Sequence, residues 1–542
     1  MTSIAKIFTI CAALASLAGS TVRAATPPKL IVAILIDQMR QDYLERFRDQ
    51  FGSNGFRLFL EHGEVMTYAH YNYVPTVTAP GHASFLSGST PLIHGIIANE
   101  WLDKKTGKDV YCVEDNSVDG VGTPPGKGRY SPRNFSGSTF ADELRLRYGS
   151  KVVGVSMKDR GAILPAGKKP AGAYWFHAKT GDFVTSSYYM SQLPAWVKDF
   201  NQRKRPGQFM GQTWDRLLDK KFYLTADDAA GEGTLEGEKK PVFPHTIKTS
   251  DDGFDNIMPT PFGNQLLQEF AEAAIDGEKL GQGPQPDLLC VSFSSIDYGG
   301  HKFGPYSQEM QDLVLRLDQQ LAHLFNFLIE KVGAENLMMV LTADHAVMPT
   351  PEYANEQGLN GQRLNETDFV NDLKERLAEE FGPGRYFLSS KIYTGNIYFN
   401  HATLQRKNLD PEKVFDFLRE VILARGDVQA CYSRKQLLDG NAPGPFGQLV
   451  INGYNPERGG DIVILPKPYV IPGSGKTGTT HGSAYSYDTH VPILFFGPAF
   501  KPGRYADEFR ITDIVPTLCT ALEMNEPAGN MGKPFLKMLN GQ

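Results

Sequence analysis

Leu288-Leu289-Cys290-Val291-Ser292-Phe293-Ser294-Ser295-Ile296-Asp297 runs from an apolar segment into a carboxylate, and His301 follows four residues on. A short apolar run without polar alternation is what a strand covered on both faces requires, as in a parallel sheet flanked by helices. The same ending recurs twice. Leu337-Met338-Met339-Val340-Leu341-Thr342-Ala343 leads into Asp344-His345, and Leu30–Ile36 stops at Asp37. Carboxylates and imidazoles at the ends of parallel strands converge on one sheet edge, where they offer oxygen and nitrogen ligands to a metal ion. The chemistry this implies is that of a metal-dependent hydrolase.

Further runs rich in Val, Ile and Leu, bounded by turn residues, are Val152–Ser156, Asp461–Leu465 and Val491–Phe496. Amphipathic stretches such as Gly263–Ile275 and Ser307–Val332 lie between the apolar runs and read as helices. Strands alternating with helices predict an α/β fold with a doubly wound, mostly parallel central sheet flanked by helices. Two long intervals, about 164–259 and 350–459, separate the core strands and read as insertions decorating one catalytic domain over 25–542. Candidate ligands lie on both sides of each interval, which argues against separate domains. Ile511–Leu518 predicts a last helix packing back on the core.

The 542 residues are 41% hydrophobic and 21% charged, an ordinary globular balance. A formal net charge of -6 argues against non-specific nucleic-acid binding, and Arg203-Lys204-Arg205 reads as solvated surface. Residues 1–24 read as a secretory signal: Lys6 gives a positive start, Ile7–Ala18 an apolar core, and Val22-Arg23-Ala24 a cleavage site after Ala24. That apolar core is shorter than the ~20 residues of a membrane span, and no other segment is long and apolar enough. A periplasmic or secreted protein is therefore expected, with a monomer as the default state. Export permits disulfides, but Cys112, Cys290, Cys431 and Cys519 are widely scattered and show no zinc-finger spacing.

A nucleophile is the next requirement. Thr78 precedes Ala79-Pro80-Gly81, a turn that would hold its hydroxyl at a helix N-terminus, where backbone N–H groups favour anions. A hydroxyl on a divalent cation loses its proton near neutral pH and becomes an alkoxide. Taken alone, Thr78 reads more readily as a helix cap. Its neighbours change that reading.

The order of Leu35-Ile36-Asp37-Gln38-Met39-Arg40, Thr78-Ala79-Pro80-Gly81-His82, Ser156-Met157-Lys158-Asp159-Arg160, Thr342-Ala343-Asp344-His345 and Thr480-His481-Gly482-Ser483 resembles the alkaline phosphatase superfamily. Within it, the resemblance is to exported bacterial alkaline phosphatases that use threonine as nucleophile, relatives of the nucleotide pyrophosphatases/phosphodiesterases. It covers nearly the whole mature chain, and it implies two zinc ions. One would be held by Asp37, Thr78, Asp344 and His345, the other by Asp297, His301 and His481. For the last ligand, the His-Gly pattern favours His481 over His490. Asp297 and His301 could instead form a surface pair four residues apart on a helix, a reading that the intervening Gly299-Gly300 opposes. His82, His94 and His177 carry no ligand spacing.

Lys158 and Arg160 alternate after the strand Val152–Ser156, so in extended geometry they point to one side. An ammonium and a forked guanidinium suit the terminal oxygens of a phosphate monoester dianion. The resemblance gives the matching Lys and Arg this role, completed by Asn99. A small phosphate monoester as substrate and a phosphothreonine intermediate follow. A phosphodiesterase on the same fold has less use for Lys158 and Arg160. A sulfatase is disfavoured because the nucleophile segment lacks Cys or Ser followed by Pro-Ser-Arg. A non-catalytic, metal-stabilised phosphate-binding protein would keep every ligand but leave Thr78 idle.

Overall fold

The described residues of this computed structural model, 27–251, 253–473 and 475–540, are organised on a ten-stranded sheet. In chain order its strands are β1 (Leu30–Ile36), β2 (Glu64–Met66), β3 (Gly120–Val121), β4 (Val152–Ser156), β5 (Gly172–His177), β6 (Asp182–Ser186), β7 (Asp287–Phe293), β8 (Leu337–Thr342), β9 (Ile493–Phe496) and β10 (Gly503–Tyr505). They lie side by side as β10-β2-β9-β8-β1-β7-β4-β5-β6-β3. From β8 through β5 neighbours are parallel. Toward the edges, β9 and β6 run antiparallel. The expected doubly wound, mostly parallel sheet is the architecture observed.

The strand sequences explain this arrangement. Every residue of β1, β4, β7 and β8 is buried, so none of these strands alternates polar with apolar side chains. Flanking helices supply the cover: α1 (Thr78–Phe85), α2 (Asp159–Ala166), α3 (Pro261–Glu278), α4 (Ser295–Phe303) and α5 (Gln308–Val332). In α5, Leu313, Leu317, Leu321, Leu324 and Leu328 recur at helical spacing and are buried in the main core. The Ser307 hydroxyl starts this helix by accepting from the Met310 N–H, and Gly333 at φ 81° ends it.

Two apolar segments sit elsewhere than expected. The run Asp461–Leu465 falls in the strand Ile462–Pro466, which pairs antiparallel with Asn396–Ile397 and Val428–Ser433 in a separate small sheet. That sheet has its own core, with Phe369, Leu373, Leu377, Phe415, Leu418 and Ile464 among its members. A short buried run carries no mark of which sheet it joins. Within the interval 164–259, β5 and β6 extend the central sheet itself rather than decorate it. The last helix is Ile514–Ala521, and Cys112, Cys290, Cys431 and Cys519 are buried free thiols. The signal expected over 1–24 lies outside the described residues. Among those described, no helix is long and apolar enough to cross a membrane.

Glu64 on β2 is fully buried, and neither carboxylate oxygen has a hydrogen-bond partner. Burial pushes its pKa up to about 9 from the model-compound 4.5. Between these values the folded state keeps a proton that the unfolded chain has lost, so this group lowers stability as pH rises, by about 1.4 kcal/mol per pH unit. Glu64→Gln should therefore stabilise the protein more at pH 8 than at pH 6. Melting curves of both proteins at the two pH values test this; an equal shift at both would refute it.

Candidate active site

Four adjacent parallel strands, in the order β8-β1-β7-β4, end on the same edge of the sheet. Their register aligns the ends: Leu35 pairs with Thr342, Ile36 with Phe293 and Ser292 with Ser156. The residues just beyond are Asp344-His345, Asp37, Asp297 and Lys158. Two groups of ligand atoms result, Asp37–Asp344–His345 and Asp297–His301–His481, each with its atoms within 4.8 Å of one another.

Asp297 and His301 sit on α4, against the expectation that Gly299-Gly300 would prevent a helix there. The spacing of four puts both on one helical face, with His301 Nε2 3.2 Å from Asp297 Oδ1. The glycines serve packing instead. A Cβ on Gly300 would fall 1.8 Å from Gln38 Oε1, and one on Gly299 2.4 Å from Leu313 Cδ1. Asp297 is buried at 3% exposure, while the His301 side chain, 37% exposed, opens toward solvent. His481 reaches in from the segment before β9, with Nε2 3.7 Å from Asp297 Oδ1 and its ring stacked 3.4 Å from that of His345. His490 lies elsewhere, stacked on His70.

All three imidazoles are oriented by the same device. Nδ1 of His301, His345 and His481 lies 2.9, 3.1 and 2.8 Å from the carbonyls of Thr479, Ala346 and Thr76 respectively. A carbonyl only accepts, so Nδ1 carries the proton and the Nε2 lone pair faces the carboxylates.

Thr78 begins α1 and is buried; the N-cap position is Val77, which makes no side-chain capping bond. Gly81 lets this helix approach β8, because a Cβ there would fall 2.3 Å from the Asp344 carbonyl oxygen. Asn99 closes the helix start by accepting the Ala79 N–H on Oδ1 at 2.9 Å. Lys158 Nζ lies between the two carboxylate groups, 2.6 Å from Asp37 Oδ2 and also bonded to Asp297 Oδ2. Arg160 does not follow in extended geometry: Lys158 is the N-cap of α2 and Arg160 lies in its first turn. Both cations nevertheless surround Tyr298, with Lys158 Nζ 4.9 Å from its ring centroid. Burial raises the Tyr298 pKa, and the Lys158 and Arg160 charges oppose that rise. The Arg160 guanidinium donates Nη1 to Tyr111, while its buried Nε has no partner.

The electrostatics are those of a site short of positive charge. Burial and then the neighbouring Asp37 charge push the Asp344 carboxyl well above the usual range. Burial also opposes charge on Asp297, but Lys158 and His301 outweigh it and hold that carboxyl well below the usual range. Burial lowers the His345 pKa to about 3, so its Nε2 stays a free base. Asp37 Oδ1, Asp344 Oδ2 and His345 Nε2 are buried without a hydrogen-bond partner. Buried carboxylate oxygens and an imidazole nitrogen left without partners around Asp37, Asp344 and His345 suit a divalent cation with mixed oxygen/nitrogen preference.

Sequence reasoning missed three contributors. Gln38, at φ 67°, donates its backbone N–H to Asp344 Oδ1 at 3.0 Å and its amide to Asp297 Oδ1 at 2.7 Å, tying the two groups together. His82 sits 2.9 Å from the Thr78 carbonyl, 3.2 Å from Asp344 Oδ2 and 2.7 Å from Ser292 Oγ, behind the threonine helix. Tyr111 holds Arg160. Only the motif around Asp37 signalled Gln38; His82 and Tyr111 had no ligand spacing to mark them.

This fold is that of the alkaline phosphatase superfamily. The family described as type I phosphodiesterase / nucleotide pyrophosphatase matches residues 31–488. The chain is 40% identical to alkaline phosphatase PafA of Elizabethkingia meningoseptica, over 94% of each chain. It is 38% identical to alkaline phosphatase PhoV of Synechococcus elongatus, over 94% of this chain and 93% of that one. A crystal structure of wild-type PafA superposes with a TM-score of 0.90 at 39% identity, covering 95% of this chain and 99% of that one. A PafA variant substituted at one threonine, one asparagine, one lysine and one arginine superposes equally well. The chain belongs to the phosphodiesterase/nucleotide pyrophosphatase family of that superfamily.

The Gly300–Gln38 contact yields a test. Gly300→Ala should cost about 1–3 kcal/mol through overpacking, and Gln38→Ala in the same chain should recover most of that loss. Denaturant unfolding of the single and double variants measures both, and strict additivity would disprove the contact's importance.

Proposed function

We propose that the protein is a zinc-dependent alkaline phosphatase that hydrolyses phosphate monoesters through a covalent phosphothreonine intermediate. As a member of its family the protein is a phosphoric monoester hydrolase, a reading supported by relatives named alkaline phosphatases at 38–40% identity. The observation that carries the finer reading is the placement of Lys158, which spans both carboxylate groups from the N-cap of α2, with the unpartnered Arg160 Nε in the first turn of that helix. The four residue types replaced in the PafA variant are those proposed here as catalytic: Thr78, Asn99, Lys158 and Arg160.

Asp37, Asp344 and His345 together with Thr78 would hold one zinc ion, and Asp297, His301 and His481 the other. Bound zinc supplies Lewis acidity, which favours ionised over neutral oxygen at the nucleophile and the leaving group. The Thr78 oxygen attacks phosphorus, the ester P–O bond breaks, and the alcohol leaves with a proton. Water then attacks the phosphothreonine, the Thr78–phosphorus bond breaks, and inorganic phosphate departs. Lys158, Arg160 and Asn99 hold the non-bridging oxygens throughout. Burial opposes the Lys158 charge, but the Asp297 and Asp37 carboxylates raise its pKa, so it stays cationic. A dianionic monoester gains most from two cations; a monoanionic diester gains less. The family's description favours a phosphodiesterase as the second reading, and Lys158 and Arg160 separate the two. We further infer one catalytic domain over 25–542, exported after cleavage near Ala24.

Thr78→Ala should lower p-nitrophenyl phosphate turnover by at least about 10³-fold while zinc analysis still finds metal in the protein. Undiminished turnover would remove the covalent mechanism. Lys158→Ala and Arg160→Ala should each cost about 10- to 100-fold on the monoester and far less on bis(p-nitrophenyl) phosphate. Equal losses on both substrates would favour the diesterase, and activity untouched by chelator would exclude the zinc site.

A further inference from the structure

We infer that Tyr111 is a positioning residue that sets the Arg160 guanidinium for the phosphate dianion, through a hairpin that also carries Asn99. The inference rests on the monoesterase reading above and extends it to a residue that touches no reacting atom.

The Tyr111 hydroxyl is placed between two partners. It donates to Asp159 Oδ1 at 2.5 Å and accepts Arg160 Nη1 at 3.0 Å. Asp159 Oδ1 also accepts the Arg160 backbone N–H at 2.5 Å, so phenol, carboxylate and the start of α2 form one closed unit. This arrangement engages one terminal nitrogen of the guanidinium, Nη1, and leaves the buried Nε without a partner. A guanidinium held at one end keeps its remaining donors in a fixed plane, which suits two oxygens of one phosphate. Without the phenol, Arg160 would regain rotamer freedom that substrate must then remove.

The other end of Tyr111 is equally constrained. Glu100–Leu102 and Asp109–Tyr111 form an antiparallel hairpin in which Tyr111 lies opposite Glu100. One residue beyond, the Cys112 N–H bonds the Asn99 carbonyl at 2.9 Å. Asn99 and Tyr111 are therefore neighbours across one ladder, and two arms of the phosphate clamp, Asn99 directly and Arg160 through Tyr111, ride on a single element. That element is gripped from the region of the second insertion. Asp109 accepts from Tyr393 at 2.5 Å and from Lys391 at 2.6 Å. Arg458 stacks 4.8 Å above Trp101, donates Nη1 to the Asn134 carbonyl at 2.8 Å and also bonds the Gly95 carbonyl. Lys104 donates to the Gly459 carbonyl at 2.8 Å.

The test is a double-mutant cycle of Tyr111→Phe and Arg160→Ala in the zinc-loaded enzyme, on p-nitrophenyl phosphate and bis(p-nitrophenyl) phosphate. Inorganic phosphate inhibition serves as a second readout. Tyr111→Phe should lower monoester kcat/KM about 10- to 100-fold, weaken phosphate inhibition in parallel, and leave the diester rate unchanged. In the Arg160→Ala background the same substitution should cost nothing further. Additive losses, or equal losses on both esters, would overturn the positioning inference while leaving the monoesterase intact. Arg160→Ala without effect on the monoester would instead overturn the functional reading beneath it. Should Tyr111→Phe lower the melting temperature substantially, Asp159→Asn, which disturbs the same hydroxyl from its other side, replaces it in the cycle under the same criteria.

Discussion

Three carboxylates forced together at the end of a parallel sheet are the constraint on which the rest of the site depends. Asp37, Asp344 and Asp297 follow neighbouring strands in register, and all three are essentially buried. Two like charges 4 Å apart repel by about 4 kcal/mol even at an effective dielectric of 20. Burial without pairing adds several kcal/mol per ion. Lys158 offsets part of this by touching Asp37 and Asp297, but Asp344 is left with His82 and the Gln38 N–H. A fold that concentrates negative charge so far beyond what one lysine can neutralise is arranged to receive cations.

Orientation, rather than ligand identity alone, makes the arrangement usable. Each imidazole is fixed through Nδ1 to a backbone carbonyl, so its basic nitrogen cannot turn away without losing a buried hydrogen bond worth about 1 kcal/mol. Gln38 couples the two groups by adopting a left-handed backbone conformation, which costs a non-glycine residue about 1–2 kcal/mol. That strain is offset by its bonds to Asp344 and Asp297. Gly300 in turn exists to leave room for the Gln38 amide. The chain accepts local backbone cost where it fixes ligand direction.

The parallel centre of the sheet was legible because its strands are buried apolar runs, three of which lead into carboxylates; β1, β4 and β8 match the apolar runs. The topology of Ile462–Pro466 was not, since a buried strand in a small sheet has the same composition as one in the large sheet. The reading of α4 failed for a specific reason. Glycine lowers helix propensity by about 1 kcal/mol, yet here close packing against Gln38 and Leu313 outweighs that preference. Arg160 was expected on an extended segment, but Lys158 already caps α2, a transition that no polar/apolar pattern in Met157–Arg160 announces. Tyr111 was invisible for the opposite reason: a tyrosine in a hairpin of three-residue strands has too short a pattern to betray a buried partner.

Placement also separates two tasks. Apart from His481, on the segment before β9, the candidate ligand groups hang on the strand ends and α4, where a displacement disturbs several parallel ladders at once. The proposed phosphate clamp draws instead on the start of α2 and on a peripheral hairpin held by Lys391, Tyr393 and Arg458. Discrimination between a dianion and a monoanion depends on where two cations stand, not on how metals are held. On the proposed assignment, the outer region reaches Asn99 and Arg160 through the hairpin rather than through the strand ends that carry Asp37 and Asp344. In the mechanism proposed above, substrate preference is tuned from the periphery, through the hairpin, while the strand ends of the sheet supply the candidate ligand groups.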